Sequence, residues 1–353
     1  MESPEFFMKT ALAEAARGRY LTYTNPMVGA VIVKENRIIG LGHHLGFGYE
    51  HAEINAFNNM AKQEIVRGAT MFVTLEPCSH FGKTPPCCRE IVRKGVKEIY
   101  IAQTDPNPLV AGRGINYLKK HGIAVHIGVA ETAARKLNEF YNFFYKNSRP
   151  FVTLKSAQTL DGRISLASFQ RTYLTDDTVF EDVQKLRADY QAILVGSGTV
   201  LADDPLLTVR TRKLKYPPVR IVLDRRGRLT NEYKITNEEA PTWIFTENEK
   251  IAERFANRSV KVFFKTEWTL RDIMQYLTRS GIQSLLIEGG AKIQDAFLEA
   301  SLIQQFVVYQ TDQLAGGNSL AAFKSERDAQ KLINLKMIAR KQVGNALKIS
   351  LRR

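Results

Sequence analysis

The chain has 353 residues, enough for about two separately packed cores, and its 44% hydrophobic and 24% charged residues exclude a disordered or fibrous protein. No apolar run reaches the roughly 18 residues that cross a bilayer, and the amino terminus, with Glu2 and Glu5, lacks a basic-then-apolar leader. The net charge of +14 is dispersed over both halves and is densest in 323–353, with nine Lys or Arg against two acids. A solvated surface suited to anionic small molecules is therefore expected, with no nucleic-acid or membrane partner.

In chain order, Phe6–Arg17 has helical apolar spacing, and Val28–Val33 and Arg37–Leu41 are strand-like. His51–Lys62 is helix-like, and Thr70–Leu75 is an apolar strand running into Glu76-Pro77-Cys78. A helix at Cys87–Lys94, strands at Glu98–Ala102 and Ile123–Val129, and a helix at Glu131–Tyr145 follow. This alternation predicts an α/β layer fold. The polar break Asn147–Pro150 predicts a boundary, giving domains at 1–147 and 148–353. The second half alternates too: strand Phe151–Ser156, which Lys155 is read as ending, helix Thr178–Arg187, and strands Ala192–Val195 and Arg220–Asp224. Helix Leu270–Arg279, strand Ser284–Glu288, helix Ala291–Leu298 and strand Gln305–Tyr309 complete it. Gly196–Thr199 predicts a small-residue turn whose amides can approach a phosphate. Glu288-Gly289-Gly290 runs from a strand into a helix, where free amides bind anions.

All three cysteines, Cys78, Cys87 and Cys88, fall within eleven positions. That cluster points to a metal site in a reducing, cytoplasmic setting and away from a disulfide scaffold. His51, Cys78 and Cys87 give one imidazole and two thiolates with a fourth tetrahedral position open, the pattern of catalytic zinc. Zinc there lowers the pKa of a bound water toward neutrality, and Glu53, two positions beyond His51, can carry that water's proton to a departing amine. The H-x-E and P-C elements match zinc nucleobase deaminases, although eight residues, not two, separate the cysteines. Cys88 is read as a packed helix residue.

Asn25–Val31, His44 with His51-Ala52-Glu53, Leu75–Cys87, and Asp105–Pro108 with Gly112-Arg113-Gly114 resemble the deaminase half of the bifunctional riboflavin-biosynthesis deaminase/reductase family, whose long cysteine spacing they share. The resemblance implies a cytidine-deaminase-like three-layer domain in which Asn25, His44, Lys83 and Thr84 line the substrate. Lys155, Leu160-Asp161-Gly162, Arg187-Ala188, Gly198–Pro205, Leu207–Arg210, Leu223-Asp224 and Glu288-Gly289-Gly290 are similar to the reductase half, which has a dihydrofolate-reductase-like fold. This implies a catalytic Lys155, with Arg187, Asp203, Leu206, Arg210 and Glu288 holding substrate. It further implies that Ala157, Tyr173, Thr175, Thr199, Gly289 and Gly290 hold NADPH. Tyr173 stands where the family usually has Trp, and Arg171 where it has a small residue.

The expected activity is zinc-hydroxide hydrolytic deamination of a phosphoribosylated diaminopyrimidine, followed by NADPH reduction of its ribosyl group to ribityl, in a homo-oligomer. Two other readings remain: a nucleic-acid base deaminase with a basic accessory domain, and a deaminase whose second half is a non-catalytic module.

Overall fold

The computed structural model describes all residues except 1, 80, 82–84, 168–171, 256–258 and 324–331. The chain divides into two compact units, Met1–Ser148 and Arg149–Arg353.

In the first unit, helix α1 (Pro4–Ala16) leads into strands β1 (Gly29–Lys34) and β2 (Arg37–His43), then helix α2 (Ala52–Asn58) and strand β3 (Thr70–Val73). Helix α3 (Cys87–Arg93), strand β4 (Glu98–Ile101), helix α4 (Arg113–Lys120), strand β5 (Ala124–Ile127) and helices α5 (Glu131–Leu137) and α6 (Glu139–Asn147) follow. The five strands form one sheet in the order β2-β1-β3-β4-β5, with β1 antiparallel to both neighbours and β3, β4 and β5 parallel. Because side chains alternate along a strand, Ala30 and Ile32 of β1 face one core and Val31 and Val33 the other. The first core is closed by Ala52, Ala56 and Phe57 of α2, Ile91 of α3 and Leu118 of α4. The second is closed by Phe7, Met8 and Ala11 of α1 with Ala134 of α5. The result is a helix–sheet–helix sandwich, and burying both faces accounts for the near-continuous apolar runs of β1 and β3.

Two local expectations differ. Helix α4 lay unread in the sequence, its apolar Ile115 and Leu118 too few to set a period. The expected helix Glu131–Tyr145 is broken at Asn138, whose φ of −110° and ψ of 39° leave the helical region.

The second unit opens with strands β6 (Phe151–Gln158) and β7 (Arg163–Ser165), helix α7 (Asp177–Ala188), strand β8 (Ala192–Gly196) and helix α8 (Ser197–Asp203). Strands β9 (Val219–Leu223), β10 (Thr242–Thr246) and β11 (Val260–Phe264), helix α9 (Leu270–Arg279), strand β12 (Ser284–Ile287) and helix α10 (Ala291–Glu299) come next. Strands β13 (Gln305–Thr311), β14 (Leu320–Ala321), β15 (Lys336–Val343) and β16 (Ala346–Arg352) finish it. Nine strands make one sheet, ordered β11-β10-β9-β8-β12-β6-β13-β16-β15. It is parallel from β11 to β13, and the β15–β16 hairpin adds antiparallel at the β13 edge.

Lys155 lies within β6, which runs on to Gln158, and not near its end. The expected turn at Gly196–Thr199 is instead the start of α8. The basic stretch after residue 335 is a strand hairpin, and β15 is exposed along seven of its eight residues. An edge strand solvated on both faces has no apolar alternation to reveal it.

Candidate active sites

The first site is assembled by two loops and two helix starts. His51 is the N-cap of α2 and Cys87 opens α3, while Cys78 sits in the loop that follows β3. His51 Nδ1 lies 3.3 Å from Cys87 Sγ and 3.6 Å from Cys78 Sγ, and all three ligand atoms fall within 4.8 Å of one another. A tetrahedral zinc with Zn–N of about 2.0–2.1 Å and Zn–S of about 2.3 Å sets a nitrogen–sulfur edge of about 3.5–3.6 Å, so the donor set fits the ion in both chemistry and spacing. The Cys87 backbone N–H donates to Cys78 Sγ at 3.4 Å. Hydrogen bonding with the Cys87 thiol, then with His51 and this N–H, holds the Cys78 sulfur well below the usual thiol range against the effect of burial. Cys88 points elsewhere, into the core beside Ile91, and burial pushes its thiol up to about 11.

Glu53 is 3% exposed. Burial pushes its carboxyl up, opposed by the His51 imidazole and by hydrogen bonding with the Cys87 thiol. His44 Nδ1 lies 2.8 Å from the Glu50 carbonyl and its Nε2 lies 3.0 Å from Asn25 Nδ2. A carbonyl only accepts and an amide nitrogen only donates, so His44 is neutral with its proton on Nδ1; burial lowers its pKa in the same sense. The imidazole, its ring centroid 5.3 Å from that of His51, thereby orients Asn25. Lys83 and Thr84 lie outside the described residues.

Supports that the sequence reading left unassigned lie behind these groups. Glu76, inside the Leu75–Cys87 motif and 4% exposed, accepts from the backbone N–H groups of Asp105, Gly112, Gly114 and Ile115 at 2.9–3.2 Å. It thus fastens the start of α4 to the cysteine loop. Asn138 accepts from Met27 N at 2.8 Å and donates to Met27 O at 2.7 Å, two residues from Asn25. Its separation from Met27 by 111 positions explains why no local pattern announced it.

In the second unit, Glu288 follows β12 and forms a two-pronged bond with Arg187 of α7, at 2.6 and 2.9 Å. Lys155 Nζ stands 3.8 Å from the same carboxylate. Burial alone would raise the Glu288 pKa, but the Arg187 and Lys155 cations hold it at about 2. Burial lowers the Lys155 pKa against the pull of Glu288. Arg187 also donates to the Thr208 carbonyl at 3.3 Å. Leu206 is held through its carbonyl by the fully buried Arg220 at 3.4 Å, and the Arg210 guanidinium lies 4.6 Å over the Phe180 ring of α7. Lys155, Arg187 and Glu288 are therefore one cluster, whereas Asp203 ends α8.

Gly289 must stay small, since a Cβ there would come within 2.8 Å of Ile293 Cβ. At Gly290 the nearest atom to such a Cβ would be Thr199 Oγ1, at 3.9 Å, so the starts of α8 and α10 lie close to each other. Ala157 lies in β6 two residues beyond Lys155, Tyr173 is 75% exposed, and Thr175 is half-buried. Arg171 lies outside the described residues. Asp161 of the expected acidic turn ties a distant loop, accepting from the backbone N–H groups of Ala315 and Gly316 at 3.2 and 2.9 Å.

The cytidine and deoxycytidylate deaminase zinc-binding region matches residues 1–103, and the RibD C-terminal domain matches residues 150–349. The chain belongs to the RibD family. It is 37% identical over 355 residues to the riboflavin biosynthesis protein RibD of Bacillus amyloliquefaciens, covering 98% of this chain and 95% of that one. With RibD of Aquifex aeolicus the identity is 41% over 313 residues, covering 88% and 87%. A solved RibD structure from Acinetobacter baumannii superposes with a TM-score of 0.91 at 35% identity, covering 99% of this chain and 98% of that one. A Thermotoga maritima structure, a diaminohydroxyphosphoribosylaminopyrimidine deaminase/5-amino-6-(5-phosphoribosylamino)uracil reductase, gives 0.88 at 36% with the same coverage. RibD matches of this extent favour the bifunctional reading over a nucleic-acid deaminase or an inert second half. Among the described residues no helix is long and apolar enough to cross a membrane.

Proposed function

We propose that this RibD chain deaminates a phosphoribosylated diaminopyrimidine in its first unit and reduces the ribosyl group of the product in its second. The observation that carries the reading is the convergence of His51, Cys78 and Cys87 with the buried Glu53 beside them. When bound there, zinc supplies a water whose pKa is lowered toward neutrality. Water adds to the amine-bearing carbon, the carbon–nitrogen bond breaks, and ammonia departs, leaving a carbonyl. Glu53, buried beside the ligands, is assigned to take the proton from that water and hand it to the leaving nitrogen. The Asn25 side chain, fixed by His44, orients the pyrimidine edge, with Lys83 and Thr84 assigned to the remainder of the substrate.

When bound in the second unit, NADPH would supply hydride to the first carbon of the sugar, whose bond to the ring oxygen breaks as that oxygen gains a proton. Lys155 is assigned to the reacting sugar, as the buried amine that shares the Glu288 carboxylate with Arg187. Arg187, with Glu288, Asp203, Leu206 and Arg210, is assigned to the remaining polar and anionic groups of the substrate. Ala157, Tyr173, Thr175, Thr199, Gly289 and Gly290 are assigned to the cofactor, with the facing starts of α8 and α10 as its cradle. We also propose domain bounds of 1–147 and 148–353, and assembly as a homo-oligomer.

The decisive assay incubates the protein with the phosphoribosyl diaminopyrimidine and follows ammonia release and NADPH consumption separately. Both signals are expected. Ammonia without NADPH oxidation would remove the reductase half of the proposal, and neither signal from zinc-replete protein would remove both. Glu53→Ala should retain zinc while losing about 10²–10⁴ of the deamination rate.

A further inference from the structure

The basic carboxyl-terminal stretch has no part in the roles assigned above, yet it is folded against them. Its hairpin, β15 and β16, turns at Gly344-Asn345, and that turn sits on the amino-terminal end of α7. The Asn345 side chain accepts from the Asp176 backbone N–H at 3.0 Å and donates to the Leu174 carbonyl at 3.1 Å. The Asn345 backbone N–H donates in turn to the Asp176 carboxylate at 2.8 Å. These three bonds bracket Thr175 from both sides and bridge about 170 residues of chain. The fit is close: Gly344 has a φ of +52°, and a Cβ there would meet the Asp176 carboxylate at 2.2 Å. Any side chain there would have to displace the Asp176 carboxylate and hold a left-handed backbone.

A second contact lies one step into the sheet. Tyr309 of β13 pairs in register with Ala157 of β6 on one side and with Lys348 of β16 on the other. Its hydroxyl donates to Asp182 of α7 at 2.6 Å, and Lys341 and Lys348 of the hairpin both pair with that carboxylate. The ring lies 5.8 Å from Lys155 Nζ and 5.3 Å from Lys348 Nζ. The hairpin is thus joined to the neighbourhood of the reductase lysine as well as to the segment carrying Thr175.

We propose that Asn345 is a positioning residue for cofactor binding: through Leu174 and Asp176 the carboxyl-terminal hairpin holds the Thr175 segment in its NADPH-binding conformation. The proposal rests on the assignment of Thr175 to the cofactor. The Tyr309–Asp182 bond is the same device applied to Lys155. An amide that brackets a loop does little for the chemical step but sets how much order the loop must gain when the ligand binds.

The test is a comparison of steady-state kinetics in the full chain. Asn345→Ala should raise the KM for NADPH about 10-fold, the equivalent of about 1.4 kcal/mol, with kcat and ammonia release unchanged. Tyr309→Phe should do the reverse, lowering kcat of the reduction about 10-fold with the NADPH KM unmoved. Ile282→Val, a core change in the same unit, serves as the stability control and should lower the melting temperature without moving either constant. An NADPH KM within twofold of the parent in Asn345→Ala would overturn the proposal, as would an equal rise in the Ile282→Val control. Absence of NADPH oxidation by the unaltered protein would instead remove the reductase reading itself, which keeps the two failures apart.

Discussion

Gly114 shows how a residue without a side chain sets a metal site. A Cβ there would lie 2.0 Å from the Pro77 carbonyl oxygen, one residue before Cys78, so the backbone itself would have to yield. Gly114→Ala should therefore displace the cysteine loop and weaken zinc retention by about 10–100-fold, as loss of outer support does at other metal centres; equilibrium dialysis against a zinc indicator reads this directly. His51, Glu53, Cys78 and Cys87 could be picked out in the sequence because ligand chemistry restricts residue type so sharply. Glu76 and Asn138 could not, since a buried carboxylate or amide satisfying backbone groups looks, in sequence, like any exposed polar residue. The unusual spacing of the cysteines is also explained by their placement: one lies in the loop after β3 and the other opens α3, so the intervening segment can vary in length.

The break between α5 and α6 has a definite purpose. Asn138 leaves helical geometry and, 5% exposed, turns its amide onto the backbone of Met27. Asn138→Ala would strand a donor and an acceptor, costing about 1–3 kcal/mol. The expected result is a lower melting temperature and a raised KM for the pyrimidine, with zinc content unchanged; calorimetry and ammonia-release kinetics measure these. The periodic elements were legible wherever one or both faces pack against a core, as in β1, β3, α9 and β12. Among those that escaped were β10 and β11 at one side of the second sheet, the exposed β15, and the short α4. In each the apolar period is too short or too weak to separate from a loop.

Two units, each packed around its own buried clusters, imply two separable losses. Removing the metal with a chelator should abolish ammonia release and leave NADPH oxidation of already deaminated substrate unchanged, since all three ligands belong to the first unit. Acid should act on the second unit through Glu288, whose pKa falls from 4.5 to about 2 on folding. A depressed carboxyl stabilises the fold fully above its unfolded value, and that contribution is lost as pH falls from about 4.5 toward about 2. Glu288→Gln should flatten the acid limb of the stability curve, followed by circular dichroism. At neutral pH the same change leaves Arg187 and Lys155 buried without their carboxylate, at a cost of about 3–5 kcal/mol.

The pairing of β16 with β13 also has a consequence for the order in which the molecule matures. During synthesis the first unit has all of its chain once residue 148 has been made, and it can fold while the ribosome is still translating. The second unit begins with β6, a strand whose neighbours β12 and β13 emerge more than 120 residues later, and β13 in turn waits for β16, which ends at residue 352, to pair along its other side. A newly made chain therefore gains the capacity to release ammonia before it gains the capacity to consume NADPH.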